Sequence, residues 1–166
     1  NQLNELLSAC KACPEMQFIF TKANADNGGD KINLILDSYA EKSENAICVS
    51  SLGAKRYLSA LKYAEFVLGN SSSGITEAPS MHLPTINIGD RQRGRIQAES
   101  IINCDPKKDD ILKAIEKALS SDFKELCKTV KNPNGDGNTT KKIVQTIKSF
   151  YSANAIDLKK KFYNLF

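Results

Sequence analysis

The 166-residue sequence is short of several features that would settle its class at a glance. No apolar run approaches the roughly 18 residues that a membrane-spanning helix requires, and no signal-type apolar stretch opens the chain. Neither sign of charge dominates. Lys and Arg number 23 against 19 Asp and Glu, leaving +4 dispersed along the whole length, too little to imply a nucleic-acid partner. Histidine occurs once, as His82. Cysteine is odd in number, at 10, 13, 48, 104 and 127, with no second close pair. The Cys10-Lys-Ala-Cys13 pair would supply half of a zinc site, but two further convergent ligands are wanting. A thioredoxin-type pair follows a strand and opens a helix, whereas this one precedes the strand-like run Met16–Phe20. The cysteines therefore read as small buried hydrophobes in a reducing cytoplasm, with neither metal nor cofactor expected.

What is present has the balance of a globular domain, 41% hydrophobic and 25% charged. A chain of this length can bury about two thirds of its unfolded surface in one core. The first residue is Asn1 rather than Met, and the expectation is a piece of a longer polypeptide.

Periodicity alternates along the chain. Leu3, Leu6, Leu7 and Cys10 share a helical face over residues 1–12, and Met16–Thr21 has strand length. Ile32, Ile35, Leu36 and Tyr39 restore helical spacing over 29–42, and Ala46–Ser50 reads as a second strand. Ala54, Tyr57, Leu58 and Leu61 mark another helix, and Phe66-Val-Leu a third strand stopped by Gly69. Thr85–Ile88 and Ser100–Asn103 are strands four and five, followed by helical patterns at 111–119, 123–130 and 143–151. Short apolar strands alternating with longer helices predict a doubly wound α/β domain with a parallel sheet, right-handed crossovers and helices on both faces. The expected division is a domain over 1–152 and a tail over 153–166.

In that architecture ligands bind beyond the carboxyl ends of the strands. Three such ends are rich in small or polar residues: Thr21–Gly29, Ser50-Ser-Leu-Gly, and Gly69-Asn-Ser-Ser-Ser-Gly-Ile-Thr-Glu-Ala-Pro. In the last of these, Ser71, Ser72 and Ser73 precede Gly74 and a short helix, a loop suited to a diphosphate through N–H groups and hydroxyls. It is not a P-loop, because the lysine is missing. Glu77 could accept hydrogen bonds from ribose hydroxyls, or it could complete a capping box behind capping serines. Next comes Pro84-Thr-Ile-Asn-Ile-Gly-Asp-Arg-Gln-Arg-Gly-Arg, which brings three arginines to a neighbouring strand end, where guanidinium groups pair with phosphate.

These two segments, together with Phe20-Thr-Lys-Ala-Asn-Ala-Asp and Ser51-Leu-Gly…Tyr57-Leu-Ser-Ala-Leu, resemble the hydrolysing UDP-N-acetylglucosamine 2-epimerases. The likeness is greatest to the branch that serves sialic and related nonulosonic acids. The resemblance covers about residues 15–104, with looser agreement in the helices beyond. It implies one Rossmann-like half of a GT-B architecture, the nucleotide-holding half, with an N-terminal domain elsewhere. By the same resemblance Ser71 and Ser72 hold the diphosphate and Glu77 the ribose hydroxyls. Arg91 and Asn24 line the UDP-sugar site, and Tyr57 lies against the uracil or in the core. The family's essential carboxylates and histidine lie outside this stretch, so no catalytic residue is assigned within it, and His82 reads as a surface-turn residue. The implied reaction eliminates UDP across C1–C2 and adds water to release the free 2-epimer. The other reading is the UDP-sugar domain of a GT-B glycosyltransferase, or a nucleotide-binding module without chemistry. UDP-N-acetylglucosamine or UDP is the implied ligand. A homo-oligomer is implied for the full-length protein, with neither nucleic acid nor membrane as partner.

The tail packs Ile156, Leu158, Phe162, Tyr163, Leu165 and Phe166 into its last stretch. That is more apolar surface than a solvated terminus needs, and it is expected to cover a partner surface: the N-terminal domain or a neighbouring molecule.

Overall fold

A computed structural model describes residues 2–24, 28–153 and 159. The chain divides into two compact units, Asn1–Pro133 and Asn134–Phe166. The first contains α1 (Gln2–Lys11), β1 (Phe18–Thr21), α2 (Gly29–Glu41), β2 (Ala46–Val49), α3 (Gly53–Tyr63) and β3 (Val67–Gly69). It continues through α4 (Ser72–Thr76), a 3-10 turn (Ala78–Met81), β4 (Thr85–Ile88), β5 (Ile101–Cys104), α5 (Lys108–Leu119) and α6 (Ser121–Thr129). The second unit contains α7 (Thr139–Ser152). The boundary expected after residue 152 falls inside this second unit, and the tail residues 154–158 and 160–166 lie outside the described residues.

All strand pairs are parallel, as βαβ connections require. They form two sheets rather than one, β1–β2 and β3–β4–β5. Phe18 to Thr21 pair in register with Ala46 to Val49, and Thr85 to Ile88 with Ile101 to Cys104. One apolar core joins the two sheets. Phe18 and Ala46 from the first meet Ile86, Ile88 and Ile102 from the second, beneath Ala9 and Cys10 of α1 and Ile111, Ala114, Ile115 and Ala118 of α5. A smaller cluster of Leu61, Ala78 and Leu83 backs the serine loop, with Tyr57 and Val67 against it.

Full coverage of both sheet faces holds for β4, whose four residues are all buried, but not for β1 and β2. Ile19 and Ile47 lie opposite each other in register and are 54% and 56% exposed. Phe18 and Phe20 point the other way, and Phe20 packs edge-on against Tyr39 of α2. Helices therefore cover only one face of this pair among the described residues.

The cysteines are all free thiols, with Cys10, Cys13 and Cys127 buried. Burial pushes Cys10 up to about 12 and Cys104 up to about 11, which keeps both as unreactive thiols at neutral pH. His82 adopts a left-handed conformation after the 3-10 turn, and its Nδ1 lies 3.0 Å from the Cys127 carbonyl. Because a carbonyl can only accept, Nδ1 carries the proton and pins the turn to the end of α6.

Candidate functional site

Four loops leave the carboxyl ends of β1 to β4, and each is anchored differently. After β1, Lys22 N–H extends the ladder to the Val49 carbonyl at 3.0 Å. Asn33 of α2 then grips Ala23 twice, accepting from its N–H at 2.8 Å and donating to its carbonyl at 3.3 Å. This clamp leaves Asn24 exposed at the loop mouth. Gly29 is needed just beyond, because a Cβ there would stand 2.3 Å from the Asn24 carbonyl oxygen. Lys22 also pairs with Asp37 of α2 at 2.7 Å. Their hydrogen bond holds the lysine above its ordinary pKa and the aspartate below its own.

The loop after β2 closes with the Gly53 N–H donating to Ser51 Oγ at 3.1 Å, which starts α3. From α3, the Tyr57 hydroxyl reaches Ser73 Oγ at 2.5 Å while its ring rests on the smaller apolar cluster.

The serine loop follows β3. Gly69 takes a φ of 143°, open to glycine but rarely to other residues, and Ser71 caps α4 by accepting from the Ser73 N–H at 3.3 Å. Helix α4 has five residues, so its dipole is weak, and the donors that count are individual groups. Among the described residues, the N–H groups of Ser71 and Ser72 have no acceptor. The hydroxyls of both residues are exposed. Gly74 lies inside the helix rather than opening it. Its N–H is engaged by the Ser71 carbonyl at 3.2 Å, its own carbonyl accepts from Thr85 Oγ1 at 2.9 Å, and a Cβ would meet Thr85 Cγ2 at 2.7 Å. Glu77 sits at the C-cap, so the alternative capping box, which needs a carboxylate in the first turn, does not form. Its carboxylate is exposed and has no partner among the described residues.

After β4, Gly89 turns the chain at φ 76°, and one of the three arginines faces the serine loop. Arg91 Nη1 lies 3.4 Å from the Asn70 carbonyl. Arg93 and Arg95 instead line an open hollow of about 1040 Å³ beside Asn87, Asn103 and Lys113. Gln92, which sequence reasoning passed over as part of a basic run, is buried and donates to that same Asn70 carbonyl at 2.8 Å. Nothing in the composition of the run signals an inward-facing residue.

The result is a set of donors at the ends of β3 and β4, two N–H groups and the Ser71 and Ser72 hydroxyls without an acceptor among the described residues, and the Arg91 guanidinium with one of its N–H groups on the Asn70 carbonyl, while the Glu77 carboxylate stands exposed at the C-cap of α4. A guanidinium and N–H donors suit an anion, and a carboxylate suits hydroxyl groups.

The family model described as UDP-N-acetylglucosamine 2-epimerase matches residues 1–148. Over 125 residues the chain is 44% identical to the GDP/UDP-N,N'-diacetylbacillosamine 2-epimerase (hydrolyzing) of Campylobacter jejuni, a match that covers 75% of this chain and 32% of that protein. It is 34% identical to the polysialic acid biosynthesis protein P7 of Escherichia coli over 166 residues, 99% of this chain and 42% of that protein. The chain thus spans less than half the length of these relatives. A Methanocaldococcus jannaschii UDP-GlcNAc 2-epimerase, solved with UDP-GlcNAc and UDP, superposes with a TM-score of 0.70 at 20% identity, covering 89% of this chain and 41% of that one. The Neisseria meningitidis enzyme bound to UDP-GlcNAc gives 0.67 at 18% identity, covering 89% and 40%. The fold is therefore one Rossmann-like half of the GT-B architecture, and the chain belongs to the UDP-N-acetylglucosamine 2-epimerase family.

Proposed function

We propose that this chain is the UDP-holding half of a hydrolysing UDP-sugar 2-epimerase that converts UDP-N-acetylglucosamine and water into N-acetylmannosamine and UDP, supplying sialic or related nonulosonic acids. The observation that carries the reading is the exposed Ser71 and Ser72 donors beside Asn70, whose carbonyl Arg91 reaches at 3.4 Å, with the exposed Glu77 carboxylate at the other end of α4. The names of the relatives, one a hydrolysing 2-epimerase of diacetylbacillosamine nucleotides and one a polysialic acid protein, support the same class.

In this reading the diphosphate lies against the Ser71 and Ser72 donors and Arg91, and Glu77 accepts from the ribose hydroxyls. Asn24 borders the sugar. The Tyr57 ring borders the uracil while its hydroxyl steadies Ser73, and Gly74 lets the loop sit close to β4. As the anomeric C–O bond breaks and UDP departs across C1–C2, negative charge grows on the diphosphate. Preorganised donors stabilise that charge more in the transition state than in the ground state. Removal of the C2 proton and delivery of water need acid–base groups, which we assign to an N-terminal domain facing this one. Residues 153–166 cover that domain or a neighbouring molecule. The exposed Ile143, Val144, Ile147, Phe150 and Tyr151 of α7 lead into this tail. The intact protein works in the cytoplasm as a homo-oligomer.

The test is to incubate the intact protein separately with UDP-N-acetylglucosamine and with a diacetamido-trideoxy UDP-sugar, and to identify the released sugar. Release of a free 2-epimer with UDP supports the reading. Transfer of the sugar to an acceptor, or binding without turnover, contradicts it in favour of a glycosyltransferase or a binding module.

A further inference from the structure

Gln92 stands between two exposed arginines, yet it is only 2% exposed. Its Nε2 donates to the Asn70 carbonyl at 2.8 Å. Its Oε1 is also buried and has no partner among the described residues. The carbonyl dictates which end of the amide faces it, since the reversed amide would set two oxygens against each other. An apolar side chain of the same length would fill this space without burying an unpaired Oε1, but it would take the donor from the Asn70 carbonyl. The position therefore uses the amide for its donor, not for its volume.

The donor acts on one peptide unit. The Asn70 carbonyl and the Ser71 N–H belong to the same trans peptide and point in opposite directions. Gln92 holds the carbonyl from the interior, so the Ser71 N–H is turned outward, where no acceptor among the described residues meets it. Ser71 then leaves at φ −70°, ψ 143°, which carries its hydroxyl to the cap of α4. Arg91 reaches the same carbonyl from the exposed side at 3.4 Å, so a second donor helps to hold the peptide in this orientation. With this peptide flipped, the Asn70 oxygen would face an incoming anion and repel it.

We propose that Gln92 is a positioning residue for anion recognition: by fixing the Asn70–Ser71 peptide it aims the Ser71 N–H at the diphosphate of a nucleoside diphosphate sugar. The inference rests on the UDP-sugar reading above and deepens it. Gln92 itself does not touch the ligand, so its effect is confined to the charged part of the molecule.

Calorimetric titration of the intact protein and its Gln92→Met variant with UDP and with uridine tests this. In the variant, UDP binding falls about tenfold, the loss expected of one misdirected hydrogen bond, while uridine binding does not fall. A folded variant that keeps the full preference for UDP over uridine overturns the assignment. So does a lower midpoint with both ligands weakened alike. If Gln92→Met does not fold, Gln92→Glu decides through pH. Its carboxylate repels the Asn70 carbonyl at neutral pH and donates to it once protonated. The preference for UDP should then recover on acidification relative to the unsubstituted protein, and a parallel profile overturns the proposal. Failure of the unsubstituted protein to prefer UDP over uridine would instead refute the UDP-sugar reading itself.

Discussion

The Tyr57 hydroxyl lies 2.5 Å from Ser73 Oγ and ties α3 to the serine loop across 16 residues of sequence. One aromatic side chain thus has two separable parts, a ring and a hydroxyl. Tyr57→Phe keeps the ring and should cost about 1 kcal/mol of stability through the lost hydrogen bond, with a small loss of UDP affinity. Tyr57→Ala should weaken uridine as well, by a further ~0.5–1.5 kcal/mol if the ring meets the base. Denaturant unfolding and calorimetry on both variants check this. Equal uridine affinity in Phe and Ala variants would place the ring wholly in the core.

Glu77→Gln separates the nucleoside from the anion. The exposed carboxylate has no partner to lose among the described residues, so folding should be unaffected. UDP should weaken by about 1–3 kcal/mol, the scale of a hydrogen bond to a charged group, while inorganic pyrophosphate binding holds. Losses of equal size for both ligands would assign Glu77 to support of the loop.

Gly74 and Thr85 form a steric pair that a double-mutant cycle can read. Gly74→Ala pushes a methyl to 2.7 Å from Thr85 Cγ2 and should destabilise by about 1–3 kcal/mol, as overpacking does. Thr85→Ser removes that methyl but retains the hydroxyl that bonds the Gly74 carbonyl. The double variant should recover much of the loss, and simple additivity in the unfolding energies would show that the contact is not the cause.

Lys22 and Asp37 bound the pH range of stability. The lysine's hydrogen bond holds Asp37 below its ordinary 3.8, so that contribution is present at neutral pH and fades as pH falls through the lowered value. Lys22 is held above its ordinary 10.5, so its contribution persists below that pH and is lost as pH rises through the raised value. Asp37→Asn should flatten both edges of the pH–stability curve measured by thermal unfolding. An unchanged acid limb would mean that the pair is not formed in solution.

Much of this was legible because strands and helices announce themselves by period. Thr85–Ile88 matches its expected strand end to end, and the doubly wound architecture follows from alternation alone. The serine loop was legible because small residues at a strand end have few structural uses. What escaped depends on partners distant in sequence. The division into two sheets reflects β1 and β3 lying unpaired to each other, which no local pattern encodes. The exposure of Ile19 and Ile47 contradicts their apolar character and follows from what does not cover them. The inward turn of Gln92 within a basic run depends on the Asn70 carbonyl, 22 residues earlier.

Calorimetric titration of UDP against uridine, with and without EDTA, reads whether the donors around Ser71, Ser72 and Arg91 hold a diphosphate. UDP should bind at least about a hundredfold more tightly than uridine, a difference of roughly 3 kcal/mol, and EDTA should leave this margin intact because protein donors meet the charge. Equal affinities for UDP and uridine, or a margin that vanishes with EDTA, would contradict it.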